Sequence, residues 1–242
     1  MAVITKLKKL WKQAFGDTDA FIDTFFSVAY SPDRCRYLTE GGELAAMLYW
    51  FDCEFQGKKI AYLYAVATDE AYRGQGFCRR LMEKTHRYLA EKGYAGAILV
   101  PGSKALFRLY EKMGYRTCCY VTNITCTAGT PIPLRPITAE EYAVLRRALL
   151  PAGGVIQEDA ALALLAATAK LYAGDGFVFA ATLEDSTCHI HELLGKADPA
   201  GITAALGAAE GIFRTPGTDA PFAMYCGFTA APAPGYFGLA LD

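Results

Sequence analysis

The chain has 242 residues, of which 53% are apolar and 20% are charged, so a packed core is expected and intrinsic disorder is excluded. Its formal net charge of −1 argues against a nucleic-acid partner, which needs a basic face. The length fits one large domain or two small ones.

Two helices and then three strands are predicted in the first part of the chain. Apolar residues recur at helical spacing over residues 6–15, and Asp17 can cap a second helix that ends before Pro32. Strands are expected afterwards; their ranges are 36–39, 43–55 and 59–68. Gln56-Gly57-Lys58 is typical of a hairpin turn between the last two strands.

A helix, a strand, a helix and a long strand are predicted next. The first helix covers 76–92 and ends at Gly93, and the short strand covers 97–100. Ser103 can cap the second helix, which ends at Gly114. The long strand covers 115–127.

A linker rich in proline and glycine, residues 128–133, divides the chain. It indicates a first domain at 1–128 and a second at 132–242. In the second half, helices are predicted at 138–150 and 158–172, followed by a β-hairpin of 176–183 with 187–194. A third helix is predicted at 199–206, strands at 212–215 and 222–228, and an extended C-terminal tail at 230–242.

Eight cysteines occur, none of them in a C-x-x-C pair, so no zinc site and no other metal site is expected. Cys118 and Cys119 are adjacent in a predicted strand, where neighbouring side chains point to opposite faces, so we expect no disulfide between them. No run of about 18 apolar residues suggests a membrane span. Met1–Trp11 does not resemble a signal peptide. A cytoplasmic protein with reduced thiols is expected.

A glycine-rich turn joins the predicted strand 59–68 to the following helix, and its sequence is Arg73-Gly74-Gln75-Gly76-Phe77-Cys78. The first N–H groups of a helix have no partner inside it and lie at the positive end of its dipole. A turn without bulky side chains lets a diphosphate approach those donors. The segment therefore predicts a pyrophosphate cradle.

Residues Tyr64–Met82 resemble the Gcn5-related N-acetyltransferase (GNAT) superfamily. Its motif is Arg or Gln, two residues of any type, Gly, any residue, and Gly or Ala; here Cys78 occupies the last position. Ser103–Tyr115 looks like the later block of the family, which reads A-x-x-L-Y-E-K-x-G-F/Y. The resemblance is good over 44–120 and looser over 6–26.

The resemblance implies an α/β (α+β) fold, in which helices flank a mixed central sheet. It also implies acetyl-CoA as co-substrate, bound without a metal. The residues expected to bind it are Val66, Ala67, Thr68, Arg73, Gly74, Gln75, Gly76, Phe77 and Cys78. Cys78 lies at a helix N-terminus, where a thiol pKa can fall, and it is either redox-sensitive or a small residue that fills the place of glycine.

Tyr110 matches the family tyrosine that protonates the departing thiolate, although its helical spacing also fits a core aromatic. The acceptor amine must lose a proton before it attacks. Glu54 and Asp52 on a nearby predicted strand are candidate bases, either could simply be exposed, and water could also mediate the step. His189 and His191 share a strand face and could form part of a metal site or of a polar surface.

The second half resembles a degenerate copy of the same fold. After its predicted strand 187–194 the chain reads Gly195-Lys196-Ala197-Asp198-Pro199, without the glycine-rich motif. This half is therefore not expected to bind the cofactor. It would cover part of the acceptor cleft or form a subunit contact, as in a homodimer.

The leading hypothesis is an N-acetyltransferase that moves an acetyl group to a primary amine of a small molecule or peptide in a ternary complex. Nucleic acid and membrane are not expected as partners. The alternative is a non-catalytic, acyl-CoA-binding regulator. A kinase-type nucleotide site is disfavoured because no G-x-x-x-x-G-K-[ST] sequence occurs.

Overall fold

The computed structural model describes residues 2–241, which form seven α-helices and twelve β-strands in two compact units. The first unit extends to Arg116 and also contains residues 225–233. The second contains residues 117–224 and the last segment of the chain, from Pro234. Within the described range no helix is both long and apolar enough to cross a membrane.

The first unit follows the predicted order of elements. Before residue 116 it contains α1 (Ala2–Phe15), α2 (Asp19–Val28), β1 (Cys35–Glu40), β2 (Glu43–Phe55), β3 (Lys58–Thr68), α3 (Phe77–Glu91), β4 (Gly96–Leu99) and α4 (Lys104–Glu111). The cap of α2 differs from the prediction, because Thr18 accepts the hydrogen bond from the Phe21 N–H at 3.2 Å. Asp17 instead accepts one from the Trp11 indole at 2.7 Å.

The sheet of the first unit opens on one side of β3. Strands β1, β2 and β3 are antiparallel neighbours, whereas β4 runs parallel to β3. The parallel pairing covers only Ala61 with Ala97 and Tyr62 with Ile98. Strand β3 continues to Thr68, so its last residues have no β4 partner and border an open space.

A β-bulge distorts β3 beside this opening. Tyr49 of β2 lies opposite Tyr64 and Met47 opposite Ala67, so two residues of β3 face one residue of β2. Ala65 in the bulge has φ +49°, a left-handed conformation that costs a non-glycine residue about 1–2 kcal/mol. Bulges of this kind bend a strand and reorient its side chains and N–H groups.

His86 on α3 is packed against Tyr115, with 2.7 Å between its Nε2 and the tyrosine hydroxyl. Burial lowers the pKa of His86 to about 4. The imidazole is therefore neutral at physiological pH, because its charged form would lose hydration without gaining a counter-charge.

The stability of the protein is expected to fall by about 3 kcal/mol between pH 7 and pH 4 because of His86 alone. In the unfolded chain the imidazole takes up a proton with a pKa of 6.5, whereas in the folded protein its pKa is about 4. Between these two pH values, protonation therefore favours the unfolded state. In the variant His86→Gln the amide can still bond to Tyr115 but has no proton to take up, so the loss should be about 3 kcal/mol smaller. Urea denaturation at the two pH values measures the difference, and equal pH dependence would contradict the assignment.

The second unit contains a sheet in the strand order β12-β5-β11-β10-β9-β8-β6. Strands β10 and β11 are parallel, and β8, β9 and β10 are antiparallel neighbours. Its elements are β5 (Arg116–Thr127), β6 (Arg135–Pro136), α5 (Ala139–Leu149), β7 (Ile156–Gln157), α6 (Asp159–Thr168), β8 (Lys170–Gly174), β9 (Phe177–Glu184), β10 (Thr187–Gly195), α7 (Pro199–Ala205), β11 (Glu210–Pro216) and β12 (Ala220–Gly227).

The structure differs from the sequence predictions at three places in this half. The division between the units does not follow the linker 128–133, because β5 pairs along seven residues with β11. The helix predicted over 158–172 stops at Thr168, since Lys170–Gly174 pairs with β9 as strand β8. Cys118 and Cys119 do not point apart, because their sulfurs lie 3.4 Å from each other.

A buried ion pair holds the second unit together. Arg146 of α5 donates to both oxygens of Glu192 on β10, at 2.6 and 3.0 Å, and both side chains are almost fully buried. The Tyr236 hydroxyl donates to the same carboxylate at 2.9 Å, and the Gln157 amide donates to the Leu239 carbonyl at 2.7 Å. The C-terminal segment is therefore fixed to the core by polar contacts whose loss would leave buried polar groups without a hydrogen bond.

Candidate functional site

A cavity of about 580 Å³ lies in the first unit, at the open end of β3. It is bordered by the last residues of β3, the glycine-rich turn, the start of α3, one face of α4 and the end of α1. The lining residues are Ala14, Phe15, Val66, Ala67, Thr68, Tyr72, Arg73, Gly74, Gly76, Phe77, Cys78, Arg79, Leu106, Leu109, Tyr110 and Met113. All the predicted cofactor-binding residues except Gln75 are among them.

Two glycines give the turn its shape. Gly74 and Gly76 have φ values of +74° and +79°, and a Cβ atom built on either would have no heavy atom within 4 Å. The left-handed backbone explains the residue type. The space in front of both Cβ positions is therefore open within the described residues.

Six consecutive N–H groups, from Gly74 to Arg79, donate no hydrogen bond within the described part of the chain. The first hydrogen bond of α3 is donated by Arg80 to the Gly76 carbonyl at 3.0 Å. Unpaired donors at a helix N-terminus form a site for an anion, since the helix dipole adds to their charge.

Side chains brace the turn. Arg73 donates through Nε to the Thr68 carbonyl at 3.3 Å and pairs with Glu70 at 3.5 Å, while remaining half exposed. The Gln75 amide donates to the Ala71 carbonyl at 2.9 Å, which explains why it supports the turn rather than lines the cavity. The turn is thus linked to the end of β3 at Thr68 and to the segment after β3 at Ala71.

Tyr110 reaches the cavity from α4, a helix that Ser103 caps through the Leu106 N–H at 3.3 Å. Its ring packs edge-on against Tyr115, with 5.8 Å between the centroids. Within residues 2–241 no hydrogen bond to its hydroxyl is formed. Burial, with a smaller effect from Cys78, raises the pKa of Tyr110, so the phenol keeps its proton.

Cys78 fills the last motif position as a small, partly buried residue. Burial raises the pKa of its thiol, which outweighs the lowering expected at a helix N-terminus. The structure therefore supports the interpretation of Cys78 as a filler and not as a reactive thiolate.

Neither candidate carboxylate lies at the cavity. Glu54 is exposed beside the hairpin turn and pairs in register with Lys59, nine residues along β3 from Thr68, or about 30 Å. Asp52 is bound by Arg34 and Lys59 at 2.8 and 3.1 Å. Burial alone would raise the pKa of Asp52, but hydrogen bonds from Arg34, Tyr94 and Lys59 lower it below its usual value.

Substitution of Glu54 by glutamine is therefore expected to leave kcat within about twofold of the wild-type value, since a group about 23 Å from Val66 along the strand cannot take a proton from the acceptor. Steady-state assays over a range of amine concentrations test this expectation. A loss of tenfold or more would restore Glu54 as a candidate base.

The two strand histidines lie in the second unit. His191 contacts the Thr182 hydroxyl through Nε2 at 3.2 Å, and His189 pairs in register with Thr182. No group of three or more histidine, cysteine, aspartate or glutamate side chains able to hold a metal occurs among residues 2–241.

Some lining residues were missed by the sequence analysis. Arg79 contributes the third N–H of α3, and counting from the helix start could have found it. Phe15 had no local signal, because its place at the cavity depends on how α1 packs. The bulge at Ala65, next to the lining residue Val66, also had no signal in the sequence.

Comparison with known proteins agrees with this geometry. Residues 2–118 match the family model described as an acetyltransferase (GNAT) domain. No curated protein sequence matches the chain. This match agrees with the resemblance that the sequence shows over the first part of the chain.

Solved structures confirm the fold over most of the chain. A GCN5-related N-acetyltransferase from Anabaena variabilis aligns with a TM-score of 0.70 and 17% identity, over 92% of this chain and 69% of that chain. A GCN5-related N-acetyltransferase from Kribbella flavida aligns with a TM-score of 0.67 and 15% identity, over 92% of this chain and 68% of that chain. Eis1 from Mycobacterium abscessus aligns with a TM-score of 0.64 and 14% identity, over 90% of this chain and 65% of that chain.

Proposed function

We propose that the protein is an acetyl-CoA-dependent N-acetyltransferase that acetylates a primary amine of a small molecule. The observation that carries the proposal is the row of unpartnered N–H groups from Gly74 to Arg79, placed in one cavity with the Tyr110 hydroxyl. The first element fits a diphosphate and the second can deliver a proton.

The residues present fit acetyl-CoA. Open space before the Cβ positions of Gly74 and Gly76 admits the phosphates to the backbone donors. The part of β3 beyond its pairing with β4 offers main-chain groups to the pantetheine arm, at Val66, Ala67 and Thr68. The Val66 N–H would donate to the acetyl carbonyl, and such a donor stabilises the negative charge that develops on oxygen during acyl transfer.

Acetyl-CoA would supply the acetyl group as a thioester, whose sulfur leaves with a proton. Tyr110 would provide that proton, because its raised pKa keeps the phenol neutral over the working pH range. Among residues 2–241, no aspartate, glutamate or histidine lines the cavity. We therefore assign the deprotonation of the acceptor amine to water that reaches the cavity.

The two halves would have different roles. We propose that cofactor binding is confined to the first domain, because α7 in the second unit follows Gly195–Asp198 and begins at Pro199 without the glycine-rich motif. We further propose that the second domain shapes acceptor access or a homodimer contact, and that the protein acts in the cytoplasm.

Calorimetry with acetyl-CoA and a thiol-release assay with a panel of primary amines test the proposal together. We expect saturable binding and CoA release that depends on one amine of the panel. Absence of binding would refute the cradle. Binding without turnover on a broad panel would favour the non-catalytic regulator instead.

A further inference from the structure

An unusual pair of thiols lies at the start of β5 in the second unit. The sulfurs of Cys118 and Cys119 are 3.4 Å apart. Cys118 also contacts the Ala223 carbonyl at 3.7 Å, and Cys119 the Pro234 carbonyl at 3.6 Å. Each thiol is thus held in place by a main-chain acceptor, with its sulfur directed at the neighbouring residue.

A direct disulfide is a poor product for this pair. Adjacent Cα atoms are about 3.8 Å apart, whereas the Cα atoms of disulfide-bonded residues usually lie at least about 4.4 Å apart. A bond between the two sulfurs would therefore be strained and easily reduced. An atom inserted between the sulfurs enlarges the ring and removes that strain.

The sulfur separation selects the geometry of a bridging atom. Thiolate bonds to a soft ion are typically about 2.3 Å long. If a bridging atom X forms two such bonds, the sulfur–sulfur distance of 3.4 Å gives an S–X–S angle of about 95°. This angle suits a pyramidal trivalent centre. A tetrahedral zinc ion needs about 3.8 Å between its sulfurs and four ligands, and no third metal-binding side chain lies close by in the described chain.

We propose that Cys118 and Cys119 form a dithiol site for monosubstituted trivalent arsenicals. Two thiols supply two of the three bonds of the pyramidal centre, and the organic substituent of the ligand supplies the third. An arsenoxide would form two S–As bonds while its oxygen leaves as water with both thiol protons. Arsenic stays trivalent, so no oxidant or reductant is needed.

The difference in exposure between the two thiols sets the order of the reaction. Cys118 is partly exposed and meets the reagent first, whereas Cys119 is fully buried. The hydrogen bond with Cys118, together with burial, raises the pKa of Cys119, so its thiol carries the proton that completes the water. The second bond is intramolecular and should increase retention by about 100-fold or more.

Phenylarsine oxide at a concentration equal to that of the protein tests the site. Intact mass should increase by one phenylarsine oxide minus one water per chain. The adduct should persist in millimolar glutathione, a monothiol, and be released by 2,3-dimercaptopropanol. Cys118→Ser and Cys119→Ser should each lower the apparent affinity about 100-fold or more. Cys126→Ser, a half-buried thiol of the same strand, should have no effect.

Protection from alkylation provides a readout that does not depend on variants. Cys118 should resist iodoacetamide in the folded wild-type adduct but react in the untreated protein, and both Cys118 and Cys119 should resist it when the adduct is unfolded in urea before alkylation. Peptide mapping locates the protected residues even if Cys119→Ser does not fold. The proposal is overturned if no adduct forms, if the adduct survives in both folded serine variants, or if glutathione removes it as readily as the dithiol does.

Discussion

Substitution of Gly76 by glutamate should lower the affinity for acetyl-CoA by at least about 100-fold. A carboxylate at this position would project into the open space before the N–H groups of the turn, where the diphosphate is expected. Like charges about 5 Å apart cost about 3 kcal/mol at the effective dielectric near a protein surface. Calorimetry at fixed ionic strength measures the change.

Gly93→Glu is the matched control for backbone strain. Gly93 follows α3 with φ +81°, and its Cβ position is equally open. Both variants therefore introduce the same residue type into a left-handed conformation, at opposite ends of one helix. If Gly93→Glu lost the same affinity, the effect of Gly76→Glu would come from folding, and an unchanged affinity in Gly76→Glu would refute the cradle.

Removal of the Tyr110 hydroxyl should lower kcat by about 10²–10³-fold, the range typical of a lost general acid, with the Kd for acetyl-CoA unchanged. The variant Tyr110→Phe keeps the ring and its contact with Tyr115. Because the hydroxyl makes no hydrogen bond within residues 2–241, its removal leaves no orphaned partner, and stability should change little.

Pre-steady-state mixing and calorimetry separate turnover from binding in Tyr110→Phe. Tyr120→Phe is the control, since Tyr120 is 41% exposed on β5 and does not line the cavity. An equal kcat in the two variants would exclude the donor role of Tyr110. A parallel loss of acetyl-CoA affinity would assign the residue to binding instead.

Local signals in the sequence were reliable where the main chain alone sets the geometry. Ser103 caps its helix as predicted, and Thr138 caps α5 in the same way, because a hydroxyl before a helix can satisfy a free N–H wherever the helix packs. Gly74 and Gly76 have the positive φ values that a tight turn requires. These features depend on neighbours within a few residues.

Predictions failed where distant strands decided the outcome. An Ala- and Leu-rich run was expected to remain helical to residue 172, but pairing with β9 extends the chain from Lys170, and tertiary contacts override propensity. Glu54 and Asp52 were expected to lie near the site, on a neighbouring strand. The hairpin register of β2 and β3 instead places both at the end of β3 that is opposite the cavity.

The sequence by itself determined the resemblance to the acetyltransferase family, the mixed α/β fold, and the glycine-rich turn at residues 73–78, since glycine spacing and helix starts are properties of a short segment. Only the tertiary structure decided that Tyr110 shares a cavity with that turn, that β5 belongs to the second unit, and that the sulfurs of Cys118 and Cys119 meet. Each of these depends on strand register and side-chain rotamers, which are set by packing between residues far apart in the chain.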